Sequence, residues 1–176
     1  MSNIVYIATS LDGYIADKNH QLDWLHEAAP ADQSDFGFSE FLQRIDAIIM
    51  GRKTLETILG FGCEWPYQKP VFILSHTLTD VPSALQGKVF LEKGKLQDIV
   101  DRLNKNGYHN LYIDGGITIQ SFLKEDMIDE LIISTIPTLL GGGIPLFCDL
   151  KTPLKFKYLK TEVYLDTIVK NYYVRK

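Results

Sequence analysis

Four junctions in this 176-residue chain carry residue types able to bind or transform a ligand. Met50-Gly51-Arg52-Lys53-Thr54 closes an apolar run with a glycine and opens a helical pattern with two cations and a threonine. A helix N-terminus presents free N–H groups and a partial positive charge, which suits phosphate. Arg and Lys in a first turn oppose the helix dipole, and a bound phosphate would offset that opposition; an exposed basic turn explains the segment equally well. Asp114-Gly115-Gly116-Ile117-Thr118 sets paired glycines between a strand pattern and a helical one. There the backbone can approach a pyrophosphate, or strand and helix can simply pack tightly. Leu74-Ser75-His76-Thr77 follows another apolar run. Sites selective for NAD place Asp or Glu near the end of the second strand, on the ribose 2′-hydroxyl. Ser75 and His76 instead can donate to a 2′-phosphate, which points to NADPH, although a polar loop start is the plainer reading. Leu140-Gly141-Gly142-Gly143-Ile144-Pro145 reads as a sharply bent structural turn. No segment matches GxGxxG or a Walker motif, which disfavours an ordinary Rossmann domain or a P-loop enzyme.

Rigid elements must hold these junctions, and the apolar patterning supplies them. Residues 4–8, 47–50, 71–74, 89–91, 111–113 and 131–135 are short runs rich in β-formers and read as buried strands. Helical spacing falls at 39–45 with Ser39 as N-cap, at 52–59, at 96–106 closed by Gly107, and from 116 through 123. Residues 155–161 and 162–174 alternate loosely and suit a hairpin turning at Asp166-Thr167. Strands alternating with helices through residue 135 predict an α/β fold with a mostly parallel central sheet flanked by helices, and the tail adds a C-terminal antiparallel hairpin. In such sheets ligands bind outside the carboxyl ends of the strands. Residues 9–37 form a long loop, and loops of that length are usually functional.

Composition bounds the rest. Hydrophobic residues make up 45% and charged residues 23%, as in a folded globular protein, and the length suits a single domain over 1–176. A net charge of −4 gives no overall basic field to collect nucleic acid or anionic lipid. No stretch approaches the ~20 apolar residues of a membrane span, and no secretory leader is recognisable. Cys63 and Cys148 have no CxxC spacing, and the four histidines show no metal-like pairing. The expectation is a cytoplasmic protein with two reduced thiols and no metal.

In order, Ala8-Thr9-Ser10-Leu11-Asp12-Gly13-Tyr14-Ile15-Ala16, Met50-Gly51-Arg52-Lys53-Thr54, Ile73-Leu74-Ser75, Asp114-Gly115-Gly116 and Pro137-Thr138-Leu139-Leu140-Gly141-Gly142-Gly143 resemble the dihydrofolate-reductase-like superfamily. More specifically, they look like the reductase domain of bacterial riboflavin biosynthesis and its free-standing relatives. The resemblance implies NADPH as cofactor. It implies that Ala8, Ile15 and Ala16 line the nicotinamide pocket, and that Gly51, Arg52, Lys53 and Thr54 hold the pyrophosphate and 2′-phosphate. Ser75 and His76 would flank the adenosine ribose, and Gly115, Gly116, Ile117 and Thr118 would sit under the diphosphate. Trp24 falls in the loop that closes over the active site in dihydrofolate reductases. Those enzymes carry an acid on the helix before the Gly-Arg segment, and Asp35 falls close to that position, with Glu40 about one turn beyond. Asp35 is thus the expected catalytic acid, its pKa raised by burial among Phe36 and Phe38; a helix N-cap or solvated carboxylate is the competing reading. Riboflavin-type relatives are often homodimers, which implies the same here.

The expected activity is hydride transfer from NADPH to an unsaturated or carbonyl carbon of a small heterocyclic substrate. By resemblance that substrate is a ribosylaminopyrimidine phosphate, as in 5-amino-6-(5-phosphoribosylamino)uracil reduction, or dihydrofolate. The cofactor carries the chemistry and a nearby acid donates the matching proton. No HxE…PCxxC deaminase signature is present, so a deaminase activity would belong to another chain. A nucleotide- or flavin-binding module without turnover is the second reading. A purely structural protein has little use for the 9–37 loop.

Overall fold

The apolar runs assemble into one eight-stranded sheet in a computed structural model that describes residues 1–28 and 35–176. The elements are β1 (Ser2–Ser10), β2 (Tyr14–Ala16), α1 (Asp23–Ala28), α2 (Phe38–Arg44), β3 (Ala47–Gly51), α3 (Arg52–Gly60), β4 (Val71–Leu74), β5 (Val89–Glu92), α4 (Leu96–Lys105), β6 (Asn110–Asp114), α5 (Gly116–Lys124), β7 (Glu130–Ile136), β8 (Ile144–Pro145), β9 (Phe156–Tyr164) and β10 (Ile168–Arg175). The sheet order is β5-β4-β3-β6-β1-β7-β10-β9. The first six strands are parallel; β10 and β9 add an antiparallel hairpin at one edge. Among the described residues, no helix is long and apolar enough to cross a membrane.

Strand β3 shows why these runs read as continuous apolar stretches. Ala47 and Ile49 face one layer, built with Ile99, Val100 and Leu103 of α4 and Ile119 and Phe122 of α5. Ile48 and Met50 face the other, built with Phe41 of α2 and Leu55 and Ile58 of α3. A parallel strand covered on both faces has no polar side to alternate with.

Two turns differ from the sequence expectation. The hairpin turns at Leu165 and Asp166, with φ of 52° and 55°, one residue earlier than Asp166-Thr167. Paired left-handed residues match the twist of the flanking strands; Asp tolerates that conformation, whereas a β-branched Thr resists it. Helix α2 is entered through Gly37, at φ 81°, and Ser39 is already inside the first turn. Its amide, with that of Gly37, is taken by the Asp35 carboxylate (2.8 and 2.9 Å), so Asp35 performs the capping expected of Ser39.

The long loop is folded rather than open where it is described. It contains β2, which pairs with β8, and α1. Asp12 fastens this ribbon: its carboxylate accepts from Ser10 Oγ (2.6 Å) and from the amides of Leu140 (3.1 Å) and Gly141 (2.8 Å). A Cβ on Gly143 would lie 2.1 Å from the Ala16 carbonyl oxygen. The triple-glycine segment therefore is a turn whose last glycine lets two backbones touch.

Candidate functional site

Because β1, β3, β4 and β6 run parallel, their carboxyl ends open along one edge of the sheet. A cleft of about 1050 Å³ lies there, at the top of the ~300–1,000 Å³ span common for ligand pockets. Every residue expected to hold a dinucleotide lines it. Ala8 comes from β1, Ile15 and Ala16 from β2, and Gly51 from the end of β3. Arg52, Lys53 and Thr54 come from the first turn of α3, Ser75 and His76 from the end of β4. Gly115, Gly116, Ile117 and Thr118 come from the start of α5.

Helices α3 and α5 begin beside each other at the cleft floor. A Cβ on Gly115 would lie 2.1 Å from Thr54 Oγ1, and one on Gly51 would lie 3.1 Å from Thr118 Oγ1. Each junction glycine thus sits against the threonine of the other helix. Neither helix start has a side-chain cap or an acid in its first turn. Two sets of free amides and two positive dipole ends therefore converge without an internal partner, the arrangement that receives a diphosphate. Gly115 makes the approach possible with φ 88° and ψ 138°, a region an L side chain rarely enters. Gly116 needs no such freedom; a Cβ there would meet Ile15 Cδ1 at 2.8 Å and Ile144 Cγ2 at 3.4 Å. Its role is to admit the β2–β8 ribbon.

Arg52 lies half-exposed, pairs with Glu56 at 2.6 Å and donates to Thr77 Oγ1 at 3.2 Å. Ser75 Oγ accepts from the amides of Thr77 and Leu78 (3.2 and 2.9 Å), which leaves its hydroxyl proton to donate outward. Lys93 and Lys95 line the same end. Sequence reasoning passed over them, although a Lys-Gly-Lys between a strand run and a helical run was the available signal.

Asp114, last residue of β6, also lines the cleft. Asp114 is half-buried, and the protein packed around it pushes its pKa up to about 6, against the opposing hydrogen bond from the Gly115 amide (2.8 Å). Tyr67 shares this part of the cleft, its hydroxyl held well above the usual phenol range by burial and by the charge of Asp114. The sequence reading treated Asp114 only as the lead-in to two glycines. An acid at the carboxyl end of a parallel strand was the signal.

Asp35 is elsewhere. Exposed, it caps α2, and its hydrogen bonds from Ser39 and Gly37 hold its pKa below the ordinary value rather than above it. It does not line the cleft. Glu40 faces a separate groove between α2 and the β7–β10–β9 end of the sheet. Asp35→Ala is expected to cost about 0.5–2 kcal/mol of stability, read as a lower thermal midpoint, with ligand binding in the cleft unchanged. Asp35→Asn should restore most of the loss, because Asn caps nearly as well. Trp24 lies in α1, buried against Ile136 and Ile168, while its neighbours Leu22 and Leu25 line the cleft. The His26 ring sits 6.2 Å from that of Phe61, so α1 leans on the far end of α3.

A family model described as the RibD C-terminal domain matches residues 3–170. A crystal structure from Shewanella sp. PV-4, of a protein assigned to riboflavin biosynthesis, is 56% identical, covers 100% of this chain and 99% of its own, and superposes with a TM-score of 0.97. A diaminohydroxyphosphoribosylaminopyrimidine deaminase/5-amino-6-(5-phosphoribosylamino)uracil reductase from Thermotoga maritima is 20% identical with a TM-score of 0.76. This chain is covered to 99% in that match and spans 56% of the larger protein. The dihydrofolate reductase of Enterococcus faecalis, solved with NADP(H), is 16% identical with a TM-score of 0.68, covering 99% of this chain and 96% of its own. The last two show that the fold is dihydrofolate-reductase-like.

Proposed function

The chain belongs to the RibD C-terminal domain family, and we propose from that premise that its cleft binds NADPH and directs hydride transfer to a carbonyl or unsaturated carbon of a pyrimidine- or pterin-like substrate. The observation that carries this reading is the meeting of two helix starts that no side chain caps, in the same cleft as a carboxyl whose pKa is raised to about 6. A dihydrofolate reductase of the same fold, solved with NADP(H), adds support.

The amides at the starts of α3 and α5, with Lys53, would hold the pyrophosphate, and Arg52, Ser75 and His76 the 2′-phosphate. Ala8, Ile15 and Ala16 would wall the nicotinamide end with apolar surface and keep water out. NADPH supplies the hydride when bound. Asp114 supplies the proton: its carboxyl O–H breaks as the substrate heteroatom next to the reduced carbon gains an O–H or N–H bond, and solvent then reprotonates the carboxylate. Tyr67 keeps its phenol proton and can donate a hydrogen bond to the same substrate.

Titration with NADPH, followed by cofactor fluorescence, and a screen of NADPH oxidation across aminouracils and dihydropterins test the reading. Absence of NADPH binding defeats it. NADPH is expected to bind about tenfold or more tightly than NADH, since a charged contact to the 2′-phosphate is worth roughly 1.5–3 kcal/mol. Arg52→Ala should erase that preference. Glu56→Ala should enlarge it, because Glu56 holds the Arg52 guanidinium in the free protein. Dissociation constants for the two cofactors across the three proteins decide the point.

A further inference from the structure

Charge is distributed unevenly along the cleft. Its lining Lys and Arg residues, Arg52, Lys53, Lys93 and Lys95, all lie at the starts of α3 and α4, below the ends of β3, β4 and β5. Towards β1 and the far end of α3 the walls are Leu22, Leu25, Ile58, Phe61 and Tyr67, with Asp114 at the floor. Among the described residues no Lys or Arg lines this end. Residues 29–34, Ala-Pro-Ala-Asp-Gln-Ser, contain no Lys or Arg either, and neither does the stretch from Thr54 to Tyr67. His20 is the basic side chain that does line it.

A phosphate or carboxylate moved from water into an apolar wall needs a cation and hydrogen bonds to replace its hydration. Proteins that recognise such groups supply them with Arg or Lys. Here Arg52 and Lys53, with Lys93 and Lys95 beside them, lie at the dinucleotide end, and Asp114 at the floor repels an anion once ionised. What the far end does offer is aromatic and aliphatic faces from Phe61, Tyr67 and Ile58, plus two adjacent polar groups, Tyr67 and Asp114, able to meet a ring N–H or C=O.

We infer that the substrate end takes a neutral, flat nitrogen heterocycle without a phosphate or carboxylate tail, which separates this chain's substrate from a phosphoribosylated pyrimidine and from a glutamate-bearing folate. The inference rests on the reading that the cationic end holds NADPH. The test loads the protein with saturating NADP⁺ at pH 8, above the ordinary imidazole range, and titrates two matched pairs by calorimetry. One pair is 5-amino-6-ribosylaminouracil and its 5′-phosphate; the other is dihydropterin and dihydrofolate. The expected result is that a neutral member binds at least tenfold more tightly than its anionic partner. An anionic member that binds as tightly as its neutral partner, or a loaded protein that binds none of the four, overturns the inference and leaves the cofactor reading standing. A protein that fails to load NADP⁺ at the first step overturns the cofactor reading itself, and this inference with it.

Discussion

Asp114→Asn is expected to lower the rate of hydride transfer by about 10²–10⁴, the usual contribution of a positioned acid, with little change in NADPH affinity. The pH profile gives the sign. With a pKa of about 6, the acid is protonated at pH 5 and mostly ionised at pH 8, so the parent rate should fall as pH rises through about 6. The variant should lose that limb. Stability should move the other way. A carboxyl whose folded pKa lies above its unfolded value of 3.8 weakens the folded state as pH rises from about 4 to about 6, and the penalty persists above. Replacing it by Asn should therefore stabilise the fold at pH 8 by on the order of 2–3 kcal/mol, read as a higher thermal midpoint, and leave stability nearly unchanged at pH 4. Single-turnover rates and melting curves on the same two proteins test both halves. A variant that loses less than tenfold in rate, or that is less stable at pH 8, would remove Asp114 from the role.

Gly115→Val is expected to abolish dinucleotide binding, a loss of at least a hundredfold in affinity. Two costs coincide at this position. The backbone stands at φ 88°, which a β-branched side chain resists, and the added Cβ would lie 2.1 Å from Thr54 Oγ1. Either relief, rotation of the Gly115 peptide or displacement of Thr54, separates the two helix starts. Gly87→Ala is the control: it carries the same kind of positive φ, 78°, but nothing lies within 4 Å of its added Cβ, and it should melt earlier while binding NADPH normally. Thr54→Ala combined with Gly115→Ala should remain impaired, because the contact is relieved and the backbone strain is not. Binding by Gly115→Val at parent affinity would show that the glycine serves packing alone.

The central sheet was legible because burial on both faces leaves a parallel strand no choice but continuous apolar residues, as at 47–50 and 71–74. The residues lining the cleft were legible for a related reason: ligand contacts gather at strand ends, and the ends are marked by Gly51, Ser75 and Gly115. Elements below one turn or one hairpin were not. Tyr14–Ala16 gains its strand conformation only from Ile144–Pro145, some 130 positions away, and three residues carry no periodicity to announce it. Asp35 was misplaced because counting along the chain fixes a position and not a direction. Its carboxylate is spent on Gly37 and Ser39, two local amides that compete with any longer reach. Asp114 was undervalued for the opposite reason: its acidity is set by burial in the folded protein, which the order of residues along the chain does not display.

Strand β1 pairs at Ser2 with Asn110 and at Ile4 with Glu130, and both partners are made more than a hundred residues after it. A growing chain leaving the ribosome therefore carries its most apolar N-terminal segment unpaired until β6 and then β7 emerge. At roughly 5–20 residues per second that exposure lasts many seconds. Strands β3, β4 and β5 can pair as they appear, but the strands that join them to the hairpin edge cannot close early. Sequence-distant pairing of this kind slows folding, and it places completion of the cleft late, since Ala8 waits on Ser134. Synthesis through β7, rather than of the strands before β6, is then the point from which this protein can assemble both its sheet and its site.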